Sequence, residues 1–495
     1  MRLLTYSVLV LFSLPMLILC TYLSIGIYEG ANILHSFMQD SFLVALKQSI
    51  ILSSFSTVLA LMAGLLFAKA FCTLKHTVLQ TLYLLVLVVL FMIQPIMILS
   101  VAKQVKLFGT LNPLSQSITI ATLHLLPIAT LFWISIYRYI QTEALSIAHY
   151  LSTTRWSTYR YIIFPQIRLR IGLAFLFLFV LVFIDQEVPS ILGYRTYTEE
   201  LLSQMTLMEE MQTIVLSALP SFMLVGLLSL GIIFGFNKNA VSFSNTISLN
   251  IQSDTPFGKI TLAALYLWLG AMLFILLKTS LAVSIKILFN NNIEVILQTL
   301  SVAVAVSLCT LVLSILVQHM LKQYASRTVH VIWACVLLCY LLLPHSLISL
   351  SLLNIYQKIG IFSSVGDFVI FFLGYVFVLL PIAFLLLFLF AMQEKKDYFL
   401  DFFPVPIYQR WLKITLPKQW AVWTIIFLIL MTFTLNELSV SILLVPPGFE
   451  TMIVKIYNLL HYGDKANIAF LSLVQILFLI GCFAILSFLS KKAIR

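Results

Sequence analysis

From Leu3 to Ile27 the chain runs for 25 residues without a charged side chain, and apolar runs of similar length recur to its C-terminal end. About 20 such residues in a helix cross roughly 30 Å of hydrocarbon, and a helix satisfies every backbone N–H and C=O within itself. Runs of this kind leave little choice but a polytopic all-α membrane protein. Composition agrees: 61% of residues are hydrophobic and the mean hydropathy is +1.07, so too little polar surface remains to cover a soluble globule. A transmembrane β-barrel would alternate polar and apolar residues, and this sequence does not.

The hydropathy pattern predicts about twelve spans, near 3–27, 46–70, 77–102, 117–140, 170–193, 211–236, 261–280, 295–321, 329–353, 367–392, 420–445 and 466–489. The first run contains no alanine and is longer than a signal-peptide core, so it reads as an uncleaved span. With both termini on the cytoplasmic side, 20 of the 29 lysines and arginines fall inside, with only five of the 18 acids. This is the positive-inside pattern. The net charge of +11 is thereby explained by topology and asks for no nucleic-acid partner. The six cysteines lie in or beside apolar runs without metal-type spacing and read as small buried hydrophobes.

The sequence also repeats itself. LLPIA occurs at Leu125–Ala129 and at Leu379–Ala383, an offset of 254. Pro95 and Pro344 (249 apart), Pro165 and Pro417 (252) and Glu187 and Glu437 (250) keep nearly the same offset, in the same order along the spans. This predicts a first unit at 1–236, a cytoplasmic linker at 237–259 rich in Asn, Ser and Thr, and a second unit at 260–495. Six spans in each make the two six-helix repeats parallel, related by an axis along the membrane normal.

Before the penultimate span, each unit carries a basic, aromatic cytoplasmic loop that closes on an aliphatic stretch and a proline: RWSTYRYIIFPQIRLR at 155–170 and YQRWLKITLPKQW at 408–420. A proline there suits the first turn of the next helix, where a missing N–H costs nothing. Arginines at the inner end of a span can simply anchor it. Trp156, Tyr159, Tyr408 and Trp411, at matching places in both copies, are more aromatic than anchoring requires.

These loops resemble the EAA loops of transmembrane subunits of binding-protein-dependent ABC importers. Aligned on Pro165 and Pro417, Ser152 and Pro404 stand at the glycine of that pattern. The acid and the glycine are replaced in both copies, but serine and proline can still break a short helix. The segment Asn436–Gly463, with its counterpart Asp185–Met205, is similar to the end of the penultimate span in fused two-unit permeases of the iron(III), thiamine, polyamine and aminoethylphosphonate group, iron(III) permeases above all. The resemblance implies the type I importer fold in a bacterial cytoplasmic (inner) membrane. The implied partners are a dimer of ATP-binding cassette subunits and a periplasmic substrate-binding protein.

By the same resemblance, Ser152, Arg155, Trp156, Tyr159, Arg160 and Pro165, with Pro404, Tyr408, Arg410, Trp411 and Pro417, form the surface on which the ATPase docks. The chain itself is then no enzyme and needs no cofactor or resident metal: PFGKIT at 256–261 has Gly258 and Lys259 but lacks the rest of a phosphate-binding loop. Asp185, Glu187 and Glu437 are acids near the outer ends of spans, where a charge facing lipid is costly. They either face the translocation path or cap the loop that follows. His124, Lys47 and Gln94 read as packing or snorkelling residues. A secondary transporter also has two six-helix halves, but its Gly-rich, Asp-Arg loop has no counterpart in AKAFCTLKHT at 68–77.

Overall fold

The computed structural model describes residues 2–28, 40–105, 109, 111–139, 159–207, 211–238, 256–324, 327–360, 363–393 and 416–493, and among them there is no strand. They pack as two compact units, one of Ile25–Ala282 and one of Met1–Ser24 with Val283–Arg495.

The first unit is built on α2 (Asp40–Cys72), α3 (Thr77–Met92), α4 (Pro95–Val105), α5 (Pro113–Tyr139), α6 (Phe164–Phe183), the short α7 (Glu187–Ile191), α8 (Tyr197–Thr206), α9 (Met211–Ser217) and α10 (Leu219–Lys238). Its last helix is α11 (Pro256–Ser280). The second unit contains most of α1 (Arg2–Tyr28), then α12 (Ile285–Tyr324), α13 (Arg327–Leu342), α14 (His345–Ile359), α15 (Ser364–Gln393), α16 (Leu416–Leu435), α17 (Ser439–Leu444), α18 (Met452–Tyr462) and α19 (Lys465–Ala493).

The two series run in the same order and pair alike. In the first unit α2 packs on α5, α6 and α8; in the second α12 packs on α15, α16 and α18. The pairs α4–α7, α5–α6 and α6–α10 have the counterparts α14–α17, α15–α16 and α16–α19. One hydrogen bond recurs atom for atom in kind: the Tyr197 N–H at the start of α8 donates to the Ser49 hydroxyl on α2, and the Met452 N–H at the start of α18 donates to the Thr299 hydroxyl on α12, each at 2.8 Å.

The compact units are not cut where the sequence halves are. Helix α11 opens the second half of the sequence, yet it packs on α2, α3 and α4 of the first unit. Thr279 there donates to Gln104 Oε1 at 2.8 Å. Helix α1 opens the chain, yet Tyr22 on it donates to Asn354 Oδ1 at 3.3 Å and accepts from Lys358 Nζ at 2.6 Å, both on α14. Residues 239–255 of the expected linker lie outside the described residues.

Fewer than the twelve expected spans meet the length and hydropathy needed to cross a bilayer among the described residues. Among the described residues six helices are long and apolar enough to cross a membrane, or nine if each bent pair is one span. The run expected as one span at 77–102 is α3 and α4, bent by 85°; that at 329–353 is α13 and α14, bent by 112°; that at 211–236 is α9 and α10, bent by 48°. Proline explains the first two. Its ring excludes the preceding turn and it carries no N–H, so the chain goes extended at Ile93 (ψ 118°) before Pro95 and at Pro344 itself (ψ 124°). Pro127 and Pro381 stay inside α5 and α15, which neighbouring helices support on both sides. The runs expected at 170–193 and 420–445 also stop early, at Phe183 and Leu435.

Within the first unit the closest helix pairing is α2 with α5. There the Trp133 indole N–H donates to the Leu61 carbonyl at 2.9 Å, both in the core, across 72 residues of sequence. Trp133→Phe keeps one aromatic ring but deletes that donor and part of the buried indole. It is expected to cost about 2 kcal/mol or more, read as a lowered unfolding midpoint of the purified chain in detergent.

Candidate functional site

The chemistry-bearing residues of the second unit gather where α16 stops. Leu435 ends the helix, and its carbonyl is taken up by the Gln475 side-chain N–H of α19 at 2.8 Å, which also donates to Asn436 Oδ1 at 2.8 Å. Gln475 has no solvent exposure, so the break is stitched to α19 rather than left open in the hydrocarbon. Glu437 follows. Its Oε2 lies 3.0 Å from His345 Nδ1, and its Oε1 accepts a long bond of 3.4 Å from the Val440 N–H in α17. Its backbone carbonyl accepts from the Tyr375 hydroxyl of α15 at 3.3 Å and from Ser441 at 3.1 Å. Four elements, α14, α15, α17 and α19, thus converge on three residues of broken backbone.

The His345 and Glu437 side chains are 23% and 12% exposed, which makes this a partly sheltered pair. A second acid–base contact among the described residues joins Arg195 and Glu200 at 2.6 Å. A sheltered ionisable pair is costly unless its partners match, and here each side chain is matched by the other.

The corresponding break in the first unit is built differently. After Phe183 the Asp185 carboxylate turns back to accept the Glu187 N–H at 2.9 Å, and Thr198 donates to the Asp185 carbonyl at 3.1 Å. Asp185 therefore caps α7. Tyr197 fills the space behind it: the ring stacks on Phe183 at 4.9 Å, and the hydroxyl donates to the Ser217 carbonyl at 3.0 Å and accepts from Ser221 at 3.1 Å. Glu187 is half-buried at the start of α7. The residue at the repeat position of His345 is Ile96, so this break holds no matching imidazole.

His124 has a structural assignment. The break at Ile93 leaves that carbonyl without a helical donor, and His124 Nδ1 lies 3.2 Å from it, with the ring stacked on Phe91 at 5.8 Å. A carbonyl only accepts, so Nδ1 carries the proton.

Of the residues expected to meet an ATPase, Ser152, Arg155, Trp156, Pro404, Tyr408, Arg410 and Trp411 lie outside the described residues. Tyr159 and Arg160 open a single π-helical turn, Tyr159–Ile163, that leads into α6. Arg160 is exposed, with its guanidinium 5.9 Å from the centroid of the Tyr161 ring. Pro165 and Pro417 are each the second residue of their helices, α6 and α16. The described residues contain no group of three or more His, Cys, Asp or Glu placed to hold a metal ion.

Reading the sequence found Glu437 and Asp185 but passed over His345, Tyr375 and Gln475. Each is a lone polar residue in an apolar run, and only His345, directly after the repeated Pro344, stood beside a recognisable marker. No family model, no curated protein and no solved structure matches this chain.

Proposed function

We propose that this chain is the transmembrane permease subunit of an ATP-driven ABC importer, forming the path by which a small periplasmic solute crosses the cytoplasmic membrane. Iron(III) is the leading cargo, with thiamine, a polyamine or aminoethylphosphonate as members of the same group. Both termini face the cytoplasm, ATP is hydrolysed by a separate pair of subunits, and a periplasmic binding protein delivers the solute. The two six-helix halves rock between inward-open and outward-open states.

The observation that carries this reading is the recurrence of one helix order, one set of pairings and the Ser49–Tyr197 and Thr299–Met452 hydrogen bonds in both units. A molecule with two like halves, each with a basic aromatic loop before its penultimate span, suits a motor that is itself a dimer. The bent pairs α3–α4 and α13–α14 add support, because broken helices are where transporters expose backbone and polar groups to cargo.

The expected result of tagging the chain in its native membrane is co-purification of an ATP-binding subunit at two copies per chain, and nucleotide-dependent uptake in reconstituted vesicles. A chain that purifies alone and drives uptake from an ion gradient without ATP would instead be a secondary transporter, and the importer reading would fall.

A further inference from the structure

The two acids that match across the repeat, Glu187 and Glu437, sit in unlike surroundings. In the first unit the break after α6 is closed by Asp185 as a cap and by a buried tyrosine. In the second, Glu437 is held at both oxygens, and its shorter bond goes to a residue 92 positions earlier on another helix. The 3.4 Å bond from Val440 is too long for a strong cap. Capping of α17 therefore does not account for where the carboxylate sits, whereas the His345 contact does. His345 is the first residue of α14, immediately beyond the Pro344 bend, and Glu437 lies on the loop between α16 and α17. Their contact ties two broken helices together at their breaks, and α17 packs on both α14 and α15 beside it.

We propose that His345 is a positioning residue for Glu437: it clasps the carboxylate against the start of α14, and only when α14 and the α16–α17 break part is that carboxylate free to meet a cationic group on the path. This rests on the permease reading for its consequence, but the clasp itself is a property of the chain alone. The atoms allow it whichever partner holds the proton: imidazolium with carboxylate, neutral imidazole donating to carboxylate, and neutral imidazole accepting from the carboxylic acid each share one hydrogen bond between Nδ1 and Oε2. Closed, the second unit presents a carboxyl group already engaged by the imidazole; open, it presents a side chain free to pair with a cation. In the first unit Ile96 stands at the place of His345, so the same imidazole contact is not repeated there.

The test uses the full chain purified in detergent and a hydrophobic carbodiimide, which modifies carboxyl groups in apolar surroundings. Modification of Glu437 and Glu187 is followed separately by mass spectrometry of their peptides. His345→Ile copies the first unit and removes the clasp; His345→Gln keeps a side-chain N–H able to reach the carboxylate. A lost hydrogen bond to an ionisable group is worth about tenfold or more in an equilibrium. Modification of Glu437 is therefore expected to rise about tenfold in His345→Ile and to return close to the wild-type rate in His345→Gln, with Glu187 unchanged in both.

Equal Glu437 rates in all three proteins would overturn the proposal. So would His345→Gln behaving like His345→Ile, which would mean that His345 only fills space. A parallel rise at Glu187 would also overturn it, since that reports general loosening. No ATPase or cargo is present, so failure of the importer reading would leave this result standing, and failure here would leave ATP-dependent uptake untouched.

Discussion

Replacing Gly64 by alanine should lower the stability of the chain by about 2 kcal/mol, and by valine more, because the new carbon has nowhere to go. A Cβ at Gly64 would stand 2.8 Å from the Ala129 carbonyl carbon, 2.9 Å from the Ala129 Cβ and 2.9 Å from the Thr130 nitrogen. Two of these are backbone atoms of α5 and the third is fixed rigidly to it, so relief requires α2 and α5 to move apart. Their close approach is what small residues provide between membrane helices, where dispersion and backbone proximity replace the hydrophobic drive. Separating them would also stretch the Trp133–Leu61 hydrogen bond of the same pairing.

Gly374 is the control. A Cβ there would meet Leu444 Cδ1 at 2.6 Å and Val440 Cγ1 at 2.9 Å, side-chain atoms with no backbone among them, so Gly374→Ala should cost less than Gly64→Ala. Thermal unfolding in detergent, followed by the monomer peak remaining after heating, measures both. Equal losses at Gly64 and Gly374 would mean that the α2–α5 approach is not as close as described.

The second large effect follows from the docking role proposed for the loops before α6 and α16. Replacing Trp156 and Trp411 together by alanine should release the ATP-binding subunits, weakening assembly by about a thousandfold. Truncating one well-buried interface aromatic costs on the order of 2 kcal/mol, and losses at two independent contacts add to about 4 kcal/mol. Each single variant should lose about thirtyfold, chiefly through faster dissociation. Binding of the purified ATPase to the chain immobilised in nanodiscs gives both rates. Assembly undisturbed by the double change would remove these loops as the docking surface.

Much of the fold was legible in the sequence, and for a plain reason. A bilayer forbids unsatisfied backbone, so a long apolar run reports a helix whatever else surrounds it. The observed α2, α5, α11, α12, α15 and α19 cover the runs expected at 46–70, 117–140, 261–280, 295–321, 367–392 and 466–489. Pro95 and Pro344 were visible as repeat markers, but hydropathy averages across a bend and reports only one span. The site was half legible. Glu437 stood out as a charge in an apolar context, whereas His345 and Gln475 acquire a role only because α14 and α19 bring them to a broken helix end.

The sequence by itself determined that this chain is helical and membrane-embedded, that its elements come in two similar series, and which few residues carry charge at depth. These follow from local composition and from matching spacings, which no distant contact can alter. Only the tertiary structure decided that three apparent spans are bent and that α1 and α11 each pack with the compact unit formed mainly by the other half of the sequence. It also decided that Asp185 caps a helix while Glu437 in the other unit meets a histidine. Those outcomes depend on which of many equally apolar faces meet, and the choice is made by shape and by isolated hydrogen bonds between residues far apart in the chain.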